Sequence, residues 1–170
     1  MDPHLQQLQQ EISSSLAAFS PEQMTWHPAE KWCAGEILEH LYLTYTGTTK
    51  GFRRVLEAGR PKVTPPSWKQ RGGAFLVLGF SYLPSGRQAP PFARPRGLAP
   101  ETVRAEIAVK IAEMDTLLTT CEEKFGAHTK VLDHPILGPL TVNQWRKFHL
   151  VHGRHHLKQI RRLRADFQDS

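Results

Sequence analysis

The chain has 170 residues, a hydrophobic fraction of 39%, a charged fraction of 22% and a formal net charge of +6. This length and balance point to a single domain, residues 1–170, with a real core, and they exclude a disordered or low-complexity chain. No apolar run approaches the roughly 18 residues of a membrane span. The opening Met1-Asp-Pro-His-Leu lacks the basic-then-apolar plan of a secretory signal, and Cys33 and Cys121 are too few and too far apart for a disulfide framework, so the expected location is cytoplasmic.

Leu5, Leu8, Ile12, Leu16 and Phe19 recur at spacings of three and four, which predicts an amphipathic helix from about residue 4 to 19, ended by Ser20-Pro21. A connector with Trp26 and Trp32 follows. Cys33-Ala-Gly-Glu36 then resembles a capping box with a thiol in place of the usual hydroxyl. It opens a second helix whose stripe is Ile37, Leu41, Tyr45, Thr48, Phe52 and Val55, with His40 on the same inward face and Gly59-Arg-Pro61 as its end.

Residues 60–99 hold Pro61, Pro65, Pro66, Pro84, Pro90, Pro91 and Pro95, which forbids one long regular element. Within them, Gly73-Ala-Phe-Leu-Val-Leu-Gly-Phe-Ser-Tyr-Leu83 is apolar enough for two or three helical turns. Extra core is its default reading, with a pocket lid or a dimer contact as the alternatives. A crossover of this length also lets the helices on either side of it run parallel.

Pro100-Glu101 suits a first helical turn, and Val103, Ile107, Ile111, Met114, Leu118 and Cys121 give a third stripe, stopped by Gly126. Asp133 to Pro139 reads as a turn-rich connector. Thr141-Val-Asn-Gln144 is a capping box for a fourth helix running to about Asp166. Four long amphipathic helices and no convincing strand predict an all-α four-helix bundle, with a long proline-rich crossover between the second and third helices. The basic residues are scattered except for Lys158, Arg161, Arg162 and Arg164. These face mostly away from the apolar stripe, as a solvated outer face near a helix C-terminus would, so nucleic acid is not the expected partner.

The fourth helix carries four of the nine histidines within eight residues, His149 to His156. At about 100° per residue, His149, His152 and His156 share a stripe with Trp145, Gln159 and Leu163, while His155 falls to one side. Imidazoles on an apolar stripe need partners for both nitrogens, and a metal ion is one such partner. Bundle interiors build metal sites from facing helices, here His40 together with a pair one turn apart. Three neutral imidazoles leave a coordination position open, as catalytic sites do. Spacing alone does not choose between His149 and its neighbours as ligands. Satisfied or solvent-lining histidines are the competing reading. Trp145 and Tyr45 read as core or pocket wall, and Cys33, Asp115 and Glu36 have no partner fixed by the sequence.

Trp32-Cys-Ala-Gly-Glu-Ile-Leu-Glu-His40-Leu41 and His152-Gly-Arg-His-His156-Leu-Lys-Gln159-Ile160 resemble the DinB-like (DinB/YfiT) superfamily of small metal-binding bundles. The resemblance spans nearly the whole chain. It implies that His40, His152 and His156 are the metal ligands, with His149, Gln159, Trp145 and Tyr45 as pocket or supporting residues. Gln159 is then a partner for a ligating imidazole. The resemblance also implies a divalent ion, with zinc or nickel best suited to imidazole, a small-molecule substrate, and a homodimer. The activities it implies are metal-dependent hydrolysis or thiol S-transfer with a low-molecular-weight thiol. The alternative is a non-catalytic, stress-related binding bundle.

Overall fold

The computed structural model describes residues 1–28, 30–83 and 88–169. Pro84, one of the expected helix breakers, lies outside the described residues. The fold is all-α apart from one short hairpin. Four long helices dominate it: α1 (Pro3–Leu16), α3 (Ala34–Ala58), α5 (Pro100–Phe125) and α6 (Val142–Gln168). Two short helices, α2 (Pro21–Thr25) and α4 (Trp68–Ala74), lie between them. Helix α3 packs most extensively on α5, and α1 on α6, with α3–α6, α1–α5 and α5–α6 contacts closing the core.

The expected stripes are the buried ones. Leu5, Leu8, Ile12 and Leu16 of α1, Ile37, Leu41, Tyr45, Phe52 and Val55 of α3, and Val103 to Cys121 of α5 all enter a single apolar core. Asp2 caps α1 by accepting from the His4 N–H, so α1 starts about where expected but stops at Leu16. Phe19 is buried from the connector instead. Ser20-Pro21 both ends that connector and, with Gln23 completing a capping box, starts α2. At α3 the Glu36 carboxylate accepts from the Cys33 N–H at 2.8 Å, which makes the capping role that of Glu36. Thr141 and Gln144 cap α6 reciprocally.

Two expectations are corrected. The connector before α6 holds an antiparallel hairpin, β1 (Leu132–His134) with β2 (Gly138–Leu140), which the sequence reading left as irregular turns. Gly138, at φ +73°, makes its tight return possible. The apolar run after Gly73 is core only in part. It forms the end of α4 and a single π-helical turn, Phe75–Gly79; Val77 enters the core with Ala74, Leu78 and Leu83 packed against it, while Phe75, Leu76, Phe80 and Tyr82 stay exposed. A short 3₁₀ turn, Pro91–Ala93, then lies against α3.

Candidate metal centre

Helix α3 supplies His40 and helix α6 supplies His152 and His156, and the fold brings the three rings together. The His152 Nε2 lies 3.3 Å from the His40 Nε2 and 3.1 Å from the His156 Nε2. Beside His152, Gly153 leaves room for α1, since a Cβ there would stand 2.2 Å from Leu8 Cδ1. Phe148 stacks on the His152 ring at 5.3 Å and 17°, fixing its plane.

The outer nitrogens of two rings are committed. His40 Nδ1–H donates to the Ala93 carbonyl at 2.7 Å, and His156 Nδ1–H donates to Gln159 Oε1 at 2.8 Å. Each of these tautomers leaves an Nε2 lone pair directed at the centre of the cluster. His152 can offer a proton to one of the two lone pairs but not to both. A cation resolves the conflict. Two donors about 2.0–2.1 Å from one ion in tetrahedral geometry stand about 3.3 Å apart, so the two spacings fit an imidazole-bound divalent ion. Burial pushes all three imidazoles below their ordinary pKa, with the neighbouring imidazoles adding repulsion at His152 and His156, and His156 falls to about 3. The rings are therefore neutral and able to coordinate at physiological pH. The three form a group able to hold a metal ion.

The site was missed by the sequence reading in two respects. Glu39, beside His40, is buried at 1% exposure, and its carboxylate accepts from the N–H groups of Arg96, Gly97 and Leu98 at 2.7, 3.1 and 3.2 Å. That contact ties the 3₁₀ turn and its exit to α3 and so holds the Ala93 carbonyl against His40. A glutamate next to a histidine gives no sequence signal of this, because its partners are backbone amides some 57 to 59 residues away. His134, expected only as a turn residue, is buried. Its Nδ1 accepts from the Ile136 and Leu137 N–H groups, and its ring packs on Phe148.

The other sequence candidates separate. Gln159 sits beside the cluster, holding His156 and also reaching His155 Nε2 at 3.2 Å. His155, set aside earlier as an outer residue, lines the same cavity. Trp145 lines it as well, with its Nε1–H donated to the Leu132 carbonyl. Tyr45 and His149 do not line it. They lie behind it, ring against ring at 5.4 Å, and neither the Tyr45 hydroxyl nor either His149 nitrogen has a hydrogen-bond partner among the described residues. The expectation that His149 and Tyr45 stand in the pocket wall is thereby corrected. Asp115 is far from the cluster in contacts, facing the Asp2 N–H and Arg146, and Glu36 faces Cys33 and the exposed His27, so neither supports a ligating imidazole.

The cluster opens on a cavity of about 620 Å³, within the range of small-molecule sites. Its walls come from α3, from the π turn, from the 3₁₀ turn, from the β1–β2 hairpin and from α6. A buried group of three imidazoles that could hold a metal ion thus lines an organic-molecule-sized cavity on a helical scaffold. The DinB superfamily profile matches residues 4–160, and the chain belongs to that superfamily. No curated protein and no solved structure matches it.

Proposed function

We propose that this chain is a metal-dependent enzyme acting on a small molecule, with His40, His152 and His156 as the ligands of a divalent ion, zinc or nickel. The observation that carries this reading is the convergence of three neutral Nε2 atoms whose outer nitrogens, at His40 and His156, are already held by acceptors. When bound, such an ion lowers the pKa of a coordinated water or thiol and so supplies hydroxide or thiolate at neutral pH. The Ala93 carbonyl and Gln159 keep the ligand rings in the binding tautomer, and Trp32, 5.5 Å from His40, screens that ring.

The same site serves hydrolysis or thiol S-transfer. Asp133 is the one carboxylate among the described lining residues, and it is occupied by the backbone N–H and hydroxyl of Thr64. Neither a hydroxide nor a thiolate supplied by the ion needs a carboxylate base, so this lining suits both reactions. In the same reading α1, α3, α5 and α6 are the superfamily's four-helix bundle, residues 60–99 are its crossover, and residues 1–170 are one domain.

The test is elemental analysis of protein purified without a histidine tag. About one equivalent of metal is expected for the native chain and less than about a tenth for His40→Ala of unchanged helicity. Full occupancy in His40→Ala would overturn the ligand assignment.

A further inference from the structure

The walls of the cavity change character along their length. At one end stand the three histidines. Leu43 and Gly47 follow on α3, with Phe92 against Gly47, and Leu76, Val77 and Leu132 line the same cavity. Two of the three lining threonines spend their hydroxyls on the helix itself: Thr44 Oγ1 donates to the His40 carbonyl at 2.8 Å and Thr46 Oγ1 to the Tyr42 carbonyl at 2.9 Å. The middle is thus more apolar than its residue types suggest. At the far end of α3, Lys50 and Arg54 line the cavity one helical turn apart. Both are exposed, and neither has an acidic partner among the described residues. Their neighbours do pair: Arg53 bonds Glu113 at 2.7 Å and Lys110 bonds the other oxygen of the same carboxylate at 2.6 Å. Lys50 and Arg54 form no ion pair among the described residues, and the one carboxylate lining the cavity, Asp133, is taken up by Thr64.

At about 1.5 Å per helical residue, Lys50 stands about 15 Å and Arg54 about 21 Å along α3 from His40. We infer that the substrate is an elongated amphiphile, an apolar body of about the length of a ten- to twelve-carbon chain ending in an anionic group, held with its reacting end at the histidines and its anion at Lys50 and Arg54. The inference deepens the proposed function by naming the substrate class for that site. A short polar substrate would leave the apolar middle wetted to no purpose, and a neutral one would not use the unpaired cations. The π-helical turn contributes Leu76 and Val77 to the same lining.

The probes are dodecanoate, dodecanol and butanoate, titrated calorimetrically into the metal-stripped chain so that carboxylate coordination cannot contribute. Dodecanoate is expected to bind with one-to-one stoichiometry, dodecanol about five- to tenfold more weakly, as two exposed charge contacts would give, and butanoate not measurably. In Lys50→Gln/Arg54→Gln, a surface pair not needed for folding, the preference of acid over alcohol should vanish while dodecanol affinity is kept. Retention of that preference in the double variant, or butanoate binding as well as dodecanoate, would overturn the inference. The same titration on His40→Ala keeps the two proposals apart. Chain binding that survives there while metal is lost supports both. Metal retained in His40→Ala sinks the ligand assignment alone, and absence of dodecanoate binding from the native chain sinks the substrate class alone.

Discussion

Helix α6 buries two polar clusters less than three turns apart, and they are built on opposite principles. Arg146, at its N-terminal end, is 6% exposed and surrounded by groups that answer it: Glu122 at 2.6 Å, the Thr119 hydroxyl at 2.9 Å, and Asp2 and Asp115 each at 3.7 Å. The cluster joins the start of α1 to α5 and α6. His152 and His156 carry no charge, face one another with lone pairs, and open on about 620 Å³ of space. A buried charge whose neighbours neutralise it holds helices together. Buried imidazoles that converge without a charge to neutralise them could instead hold a cation. Burial and polarity alone would rank the two clusters alike. Complementarity separates them.

The sharpest way to break that contrast is to exchange the consequences of mutation. Arg146→Met should cost about 3 kcal/mol in denaturant unfolding, near the low end for a broken buried ion pair because Glu122 is partly exposed, and should leave metal content unchanged. His152→Leu should remove bound metal while leaving the metal-free chain as stable as before or more so, since it replaces an imidazole whose Nδ1 has no partner. Metal loss in Arg146→Met at native helicity would mean that the two clusters are not separable.

Acid should discriminate more finely. Burial lowers His149 to about 3 and His134 to about 4, with the charge of His134 adding to the shift at His149. A lowered pKa in the folded state means that the unfolded chain takes up the proton first. Stability is then complete above the ordinary imidazole value of about 6.5 and falls as pH drops from there toward 4 and 3, by about 1.4 kcal/mol per pH unit for each such histidine. In metal-free protein, His149→Leu should therefore gain about 2 kcal/mol at pH 5 relative to its effect at pH 8, measured by urea unfolding at the two values. An equal effect at both would show that His149 is not held neutral by burial.

Much of this was legible in the residues because the helices are amphipathic and their stripes are uninterrupted. Leu5 to Leu16, Ile37 to Val55 and Val103 to Cys121 each announce a buried face by spacing alone. His40, His152 and His156 were legible for the same reason, being polar residues at apolar positions, and the paired motif selected His152 over His149. The cavity was not. Its walls depend on the π turn and the hairpin, whose residues lack helical spacing, and on Glu39, whose three backbone donors come from another part of the chain. Gly153 marks a close contact of α6 with α1, yet within a helix it reads only as a weak position until Leu8 is seen against it. His155 stands outside the group of three imidazoles, as its place to one side of the stripe implies, and it still lines the cavity beside them.

The smallest effect expected is at Gln159, and it addresses how far the open cluster extends. Its side chain accepts from His156 Nδ1 at 2.8 Å and its amide nitrogen meets His155 Nε2 at 3.2 Å, so it orders one imidazole of the trio and one outside it. An acceptor on the outer nitrogen of a ligating imidazole holds the ring and raises its basicity. Gln159→Ala should weaken metal binding about tenfold in competition with a chelating dye, with no change in stoichiometry. Gln159→Glu keeps the acceptor and adds a negative charge, and it should restore or exceed native affinity. Affinity unmoved in both variants would make Gln159 a wall residue only, and the ordering of the three rings would then rest on Ala93 at His40 and on the stacking of Phe148 at His152.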